Sequence, residues 1–183
     1  MKSSYLAKDL NYGDLIGNIT FLLNPKTIIE IGILDGYSLE TFVQNTTTNT
    51  NIKAYDLFEE FIGNHANQDI LDTKFSEYSN VHICKGNFYE LHNLIDDNID
   101  IIHIDIANNG DVFEYAINYY LPKLSPKGVL ILEGGSLERD NVEWMHKYNK
   151  NSINPLLQKY NDTLDIKIIG NFPSITVIKN KTK

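Results

Sequence analysis

The residues most able to do chemistry form a short series of glycines, acids and one amide, each at the end of an apolar run. Glu30-Ile-Gly32-Ile-Leu-Asp-Gly36-Tyr37-Ser38 carries two glycines four apart. They allow a tight turn and a close backbone approach to a ligand, and the amides of Tyr37 and Ser38 then open a helix whose start favours a carboxylate. The stretch lacks the G-x-G-x-x-G dinucleotide fingerprint and the closing Gly-Lys-Ser/Thr of a P-loop, which disfavours a nucleotide phosphate as ligand. About twenty residues on, Ile52-Lys-Ala-Tyr-Asp56 ends in an acid, where an open α/β sheet sets a carboxylate against ribose hydroxyls. Leu57 and Phe58 follow as apolar cover for an adenine face, and Gly86-Asn87-Phe88 offers an amide for its edge. Two further acids, Asp105 and Glu133, end later apolar runs and suit a general base or the binding of hydroxyl groups. Ser136 and Arg139 stand downstream of Glu133 as candidate substrate contacts, the guanidinium for a carboxylate or phosphate.

These positions need a scaffold that brings strand ends together. Seven short runs rich in β-branched residues read as strands: 27–31, 52–55, 81–84, 99–104, 129–132, 165–169 and 174–178. Stretches of helical spacing separate most of them, the pattern of a parallel sheet covered by helices. Val112, Phe113, Ala116, Ile117, Tyr120 and Leu121 recur as a helix face behind Asp111, the expected cap, with Pro122 as the stop. Asp140 with Glu143 marks another helix start ahead of Trp144 and Met145, which read as core. Only four residues separate the last two runs, so they pair as an antiparallel hairpin. The expected fold is α/β: a Rossmann-like three-layer sandwich on a seven-stranded, mostly parallel sheet with an antiparallel last strand. It spans 1–183 as a single domain, with residues 1–26 a helical segment over the site. Within that segment Tyr12 is placed either over the pocket or on a helix packed against the sheet.

Composition sets limits on partners. In 183 residues there are 24 acidic against 16 basic side chains, a formal net charge of −8 that opposes a phosphate backbone, so no nucleic-acid partner is expected. The single cysteine, Cys84, excludes an intrachain disulfide and a cysteine-based zinc site. The start, Met1 to Ala7, does not read as a signal peptide, and no run approaches the ~20 apolar residues of a membrane span. A cytoplasmic protein without membrane association is the expectation. Eleven tyrosines, among them Tyr115, Tyr119 and Tyr120 on one helix, lean the reading towards a homodimer.

With these motifs assembled, the chain resembles a class I S-adenosylmethionine-dependent methyltransferase from about Lys26 to Lys179. Glu30-x-Gly32-x-x-x-Gly36 is similar to the family's first motif, which holds the methionine part of the cofactor. Asp56 is similar to its ribose-binding acid, and Gly86-Asn87 to the pair that contacts adenine. His103-Ile-Asp105 and Leu124-Ser-Pro-Lys-Gly128 match the fourth strand and the turn into the fifth. Tyr55 to Glu59 and His103 to Asp105 are most similar to the macrocin O-methyltransferase-like group.

The resemblance implies an enzyme that uses S-adenosylmethionine to methylate a small polar acceptor, most readily a hydroxyl of a sugar. The alternatives are a cofactor-binding protein without transfer and a lyase that consumes the cofactor. Relatives of this group bind a divalent metal with an Asp after the fourth strand and an Asp-Asp or Asp-Asn pair after the fifth. Here the second position reads Glu133-Gly-Gly, so the expected metal entry is none, with Mg²⁺ shared by Asp105 and Glu133 as the disfavoured alternative. Asp105 is the first choice of base and Glu133 the second. His103 reads as a satisfied core histidine.

Overall fold

The computed structural model describes residues 11–181, so the expectations for residues 1–10 lie outside the described part. In chain order the elements are α1 (Tyr12–Leu23), β1 (Thr27–Ile31), α2 (Tyr37–Gln44), β2 (Asn51–Asp56), α3 (Gln68–Lys74), β3 (Val81–Lys85), α4 (Phe88–Leu91), β4 (Ile99–Ile104), α5 (Gly110–Tyr115), β5 (Leu124–Glu133), α6 (Leu137–Asp140), α7 (Glu143–Lys147), α8 (Ile153–Tyr160), β6 (Leu164–Gly170) and β7 (Ser174–Asn180). The strands form one seven-stranded sheet in the order β3-β2-β1-β4-β5-β7-β6. β1 to β5 run parallel, and β7 lies antiparallel between β5 and β6. The expected mostly parallel sheet with a reversed last strand is therefore present.

The runs of isoleucine explain this order. Ile101, Ile102 and Ile104 on β4 and Leu130, Ile131 and Leu132 on β5 are fully buried, as strands covered on both faces must be. Two apolar layers result. One packs Phe113, Ala116, Ile117, Tyr120, Leu156 and Leu157 against one face, and the other packs Leu39, Phe42, Phe58, Leu71 and Phe75 against the opposite face. The chain reverses direction along the sheet between β1 and β4, and this is the switch point at which open α/β sheets leave a crevice.

Two helix starts differ from the sequence reading. α5 is capped by Asn109, which accepts from the Asp111 amide at 2.9 Å, so Asp111 lies inside the first turn and is not the cap. Beyond Tyr115 the coil widens to a π stretch at Ala116–Tyr120 and then tightens to a 3-10 turn that includes Pro122. Asp140 closes α6 instead of opening α7. Its carboxylate takes the amides of Ile153 and Asn154, each at 2.8 Å, and so caps α8 from thirteen residues away.

Candidate active site

A cavity of about 1040 Å³ opens over the carboxyl ends of β1, β2, β4 and β5. Its floor begins at Gly32, whose amide donates to Tyr55 O at 2.8 Å while its φ is +91°. A Cβ at Gly32 would stand 2.2 Å from the carbonyl oxygen of Asp105, so any side chain there collides with backbone. Gly36, with φ +76°, turns the chain into α2, and a Cβ there would meet Phe75 at 2.9 Å.

Asp56 ties this turn to the loop after β2. One carboxylate oxygen takes the amides of Ile33 (2.8 Å) and Leu34 (3.4 Å), and the other takes the Phe58 amide (2.9 Å) and the Asn64 side-chain amide (2.6 Å). Leu57 lines the cavity, but Phe58 does not. It is 1 % exposed, sits at φ +51° and packs into the core, and Phe61 presents the aromatic wall in its place. Asn87 caps α4 by accepting from the Tyr89 amide at 3.0 Å, and its amide nitrogen has no partner among the described residues. Phe88 lines the cavity and stacks on Tyr120 with ring centroids 5.2 Å apart.

Beneath the floor Glu30 is fully buried. One of its oxygens receives the Ser38 hydroxyl and the other has no partner among the described residues. His103 Nδ1 lies 3.4 Å from Glu30, also without a hydrogen bond. The core histidine expected there is buried and lines the cavity, but it is not satisfied.

Asp105 and Glu133 end β4 and β5 at the far side, and both line the cavity. Asp105 is accessible to solvent from the cavity, yet the surrounding wall desolvates it and raises its pKa above the ordinary aspartate value. His103 and Arg139 oppose this rise, and the negative charges of Glu133 and Glu30 reinforce it. Arg139, expected to face substrate, is 6 % exposed and lies outside the cavity lining. Its Nε and Nη2 reach the two Glu133 oxygens at 2.6 and 2.8 Å. Ser136 is committed too: its hydroxyl accepts from the Arg139 amide and donates to Asn171 O.

Tyr12 and Lys150 complete this end. The Tyr12 phenol donates to Ser174 O and so fastens α1 to β7 beside the cavity, which takes up both alternatives of the sequence reading. Burial raises its pKa first, and the charges of Glu133 and Asp105 add to that. Lys150 was not singled out from the sequence. Its segment reads as a polar loop, and the structure holds it by Lys150 N to Met145 O and Gly110 N to Asn151 O, at 2.8 and 2.7 Å. Among the described residues the cavity wall carries five carboxylates, Asp35, Glu40, Asp56, Asp105 and Glu133, of which Glu40 pairs with Lys74 and Glu133 with Arg139, and the ammonium of Lys150. Such a wall suits a ligand with net positive charge.

A parallel sheet with a reversed strand, a glycine turn at the switch point and acids on the following strand ends place the cavity where open α/β sheets bind their ligands. The model of a methyltransferase domain family matches residues 29–133, more than half of the chain, and the protein belongs to that family. No curated protein matches it in sequence. Among solved structures it is similar to the O-methyltransferase TomG from Streptomyces achromogenes, involved in tomaymycin synthesis and solved with S-adenosylmethionine. The TM-score is 0.69 at 15% identity, over 97% of this chain and 82% of that one. The Podospora anserina methyltransferase PaMTH1, bound to S-adenosylhomocysteine, aligns over 100% of this chain and 80% of its own, with TM-score 0.67 and 18% identity. An O-methyltransferase from Bacillus cereus in complex with S-adenosylhomocysteine gives 0.65 and 18%, over 96% and 84%. No helix among the described residues is long and apolar enough to cross a membrane.

Proposed function

We propose that this protein is an S-adenosylmethionine-dependent O-methyltransferase acting on a small hydroxylated acceptor, with a sugar as the first class to test. The observation that carries the reading is the acid-walled cavity over the Gly32 turn. Its carboxylates complement a sulfonium and an ammonium, and the turn admits backbone-close contact that no side chain would permit. When bound, the cofactor supplies an electrophilic methyl group on positively charged sulfur.

The residues then divide the work. The Gly32 to Ser38 turn receives the amino-acid end, and the unpartnered Glu30 oxygen lies directly beneath it. Asp56 takes the ribose hydroxyls by exchanging its longest bond, that to Leu34, or the Asn64 amide. Leu57 and Phe88 cover the base, and the free amide of Asn87 reads its edge. Asp105 accepts the proton that the acceptor hydroxyl loses as its oxygen attacks. Its raised pKa keeps it a stronger base than an exposed aspartate. Holding acceptor and donor in line supplies much of the acceleration. Tyr12, Asn109 and Lys150 enclose the acceptor.

Calorimetric titration with S-adenosylmethionine and S-adenosylhomocysteine tests the reading, in wild type and in Asp56→Ala. Binding by the wild type that the variant loses is the expected result and leads to an acceptor screen beginning with sugars. No heat with either ligand would overturn the proposal.

A further inference from the structure

The sequence left Glu133 open as half of a shared magnesium site, and the structure shows it already engaged. Its two oxygens lie 2.6 and 2.8 Å from Nε and Nη2 of Arg139, a fork-on-fork pair in which both partners are charged. Arg139 is held in place from several sides. Ser136 caps its amide at 3.0 Å, Asn108 O lies 3.4 Å from Nη2, and the guanidinium carbon stands 5.2 Å from the Trp144 ring centre. The residue is 6 % exposed, so the cation is part of the wall and not a mobile surface group.

We propose that Arg139 is a built-in cation that takes up Glu133 in place of a divalent metal, so that this site recruits no metal. Magnesium demands oxygen ligands in a near-ideal octahedron. Here each Glu133 oxygen already accepts an N–H from Arg139, and an incoming cation would meet a fixed positive charge. Among the described residues no three His, Cys, Asp or Glu side chains gather to hold a metal ion. The donor set therefore does not fit the metal.

The substitution also separates the two acids at this end of the cavity. Glu133 is taken up by the Arg139 guanidinium, while Asp105 keeps an uncommitted carboxylate on the cavity wall. Arg139 acts through Glu133 and is a positioning residue, with its Nη1 left as a buried donor without a partner. The role assigned to Asp105 rests on the transferase reading. The absence of a metal does not, so the test is made without cofactor or acceptor.

Manganese binding to the purified chain, followed by electron paramagnetic resonance and calorimetry, decides between the two arrangements. Wild type is expected to bind no stoichiometric Mn²⁺ at submillimolar concentration. One Mn²⁺ per chain that disappears in Glu133→Gln would overturn the proposal. Arg139→Ala and Arg139→Met, each checked for folding by circular dichroism, leave Glu133 as uncommitted as Asp105 and are expected to gain a Mn²⁺ site. Arg139→Lys, which keeps a cation, is expected to bind none. A folded Arg139→Ala that binds no Mn²⁺ would also overturn the claim that arginine holds the metal's place. If neither variant folds, the wild-type titration with its Glu133→Gln control still decides. Failure of methyl transfer with a metal-free wild type would sink the functional reading and leave this one standing.

Discussion

Asp105 is where local environment and chemistry meet most closely. Desolvation by the cavity wall raises its pKa, and Glu133 and Glu30 add like charge. A base works only when ionised, so the rate is expected to fall as pH drops through this raised value. The acid limb of kcat/KM should lie above the ~3.9 of an ordinary aspartate and vanish in Asp105→Asn. That variant should lose about 10²- to 10⁴-fold in kcat while binding the cofactor normally, which stopped-flow or steady-state assays together with titration would show. The same shift has a stability sign. The folded chain holds this proton more tightly than the unfolded chain, so stability falls as pH rises from the unfolded to the folded pKa. Asp105→Asn should therefore melt higher than wild type at neutral pH, and a lower Tm would count against the raised pKa. Lys150 poses a different question, because among the described residues it is the one lysine or arginine on the wall and stands at the end proposed for the acceptor. Lys150→Ala is expected to raise the acceptor KM while kcat and cofactor affinity hold. A fall in cofactor affinity instead would place the lysine at the wrong end.

At the scale of elements, the glycine turn after β1 is the part whose geometry is least tolerant. Gly32 and Gly63 have nearly the same φ, +91° and +90°, but a Cβ at Gly32 meets Asp105 O at 2.2 Å while one at Gly63 meets nothing within 4 Å. Gly63→Ala should cost only the backbone strain, about 1–3 kcal/mol in urea unfolding. Gly32→Ala should cost more and abolish cofactor binding. Equal costs would mean that backbone conformation, not the close approach of β4, sets the requirement. The strands were legible because a buried parallel strand needs a run rich in β-branched residues, and Ile99, Ile101, Ile102 and Ile104 supply one despite Asp100 and His103. Helix starts were less so. Asp111 and Asp140 both stand three residues before a Glu, yet Asn109 caps α5 and Asp140 serves α8, because an amide is satisfied by whatever acceptor the fold brings near. The same non-local logic hid the pairing of Arg139 with Glu133: six residues apart in sequence, they meet only because the chain turns back at Gly134 and Gly135, both at positive φ. Phe58 was misplaced for a related reason, since a left-handed residue at the strand exit rotates its side chain into the core.

For the molecule as a whole, the cavity joins parts of the chain that are far apart in sequence. Asn11 and Tyr12 reach it from α1, Gly32 to Ser38 from the β1 exit, Asn87 and Phe88 from α4, and Lys150 from the loop before α8. A ligand that bridges them should stabilise the folded state by about 2.7 kcal/mol at a hundredfold excess over Kd. For a chain of this size that corresponds to a rise in Tm of roughly 5–10 °C. Electrostatics then separates cofactor from product. S-adenosylmethionine carries a sulfonium charge that S-adenosylhomocysteine lacks, and it enters a wall whose described residues include Asp35, Asp56 and Asp105 beside the ion-paired Glu40 and Glu133, against Lys150, on a chain of net charge −8. Long-range attraction of this kind is screened within about 8 Å at physiological salt. Affinity for the cofactor should therefore weaken more steeply with added salt than affinity for the product. The pair of slopes is measurable by titration from low to physiological ionic strength. A steeper slope for the cofactor would show that the acidic wall selects the charged donor and helps release the spent one, whereas parallel slopes would mean that shape and hydrogen bonds alone hold both.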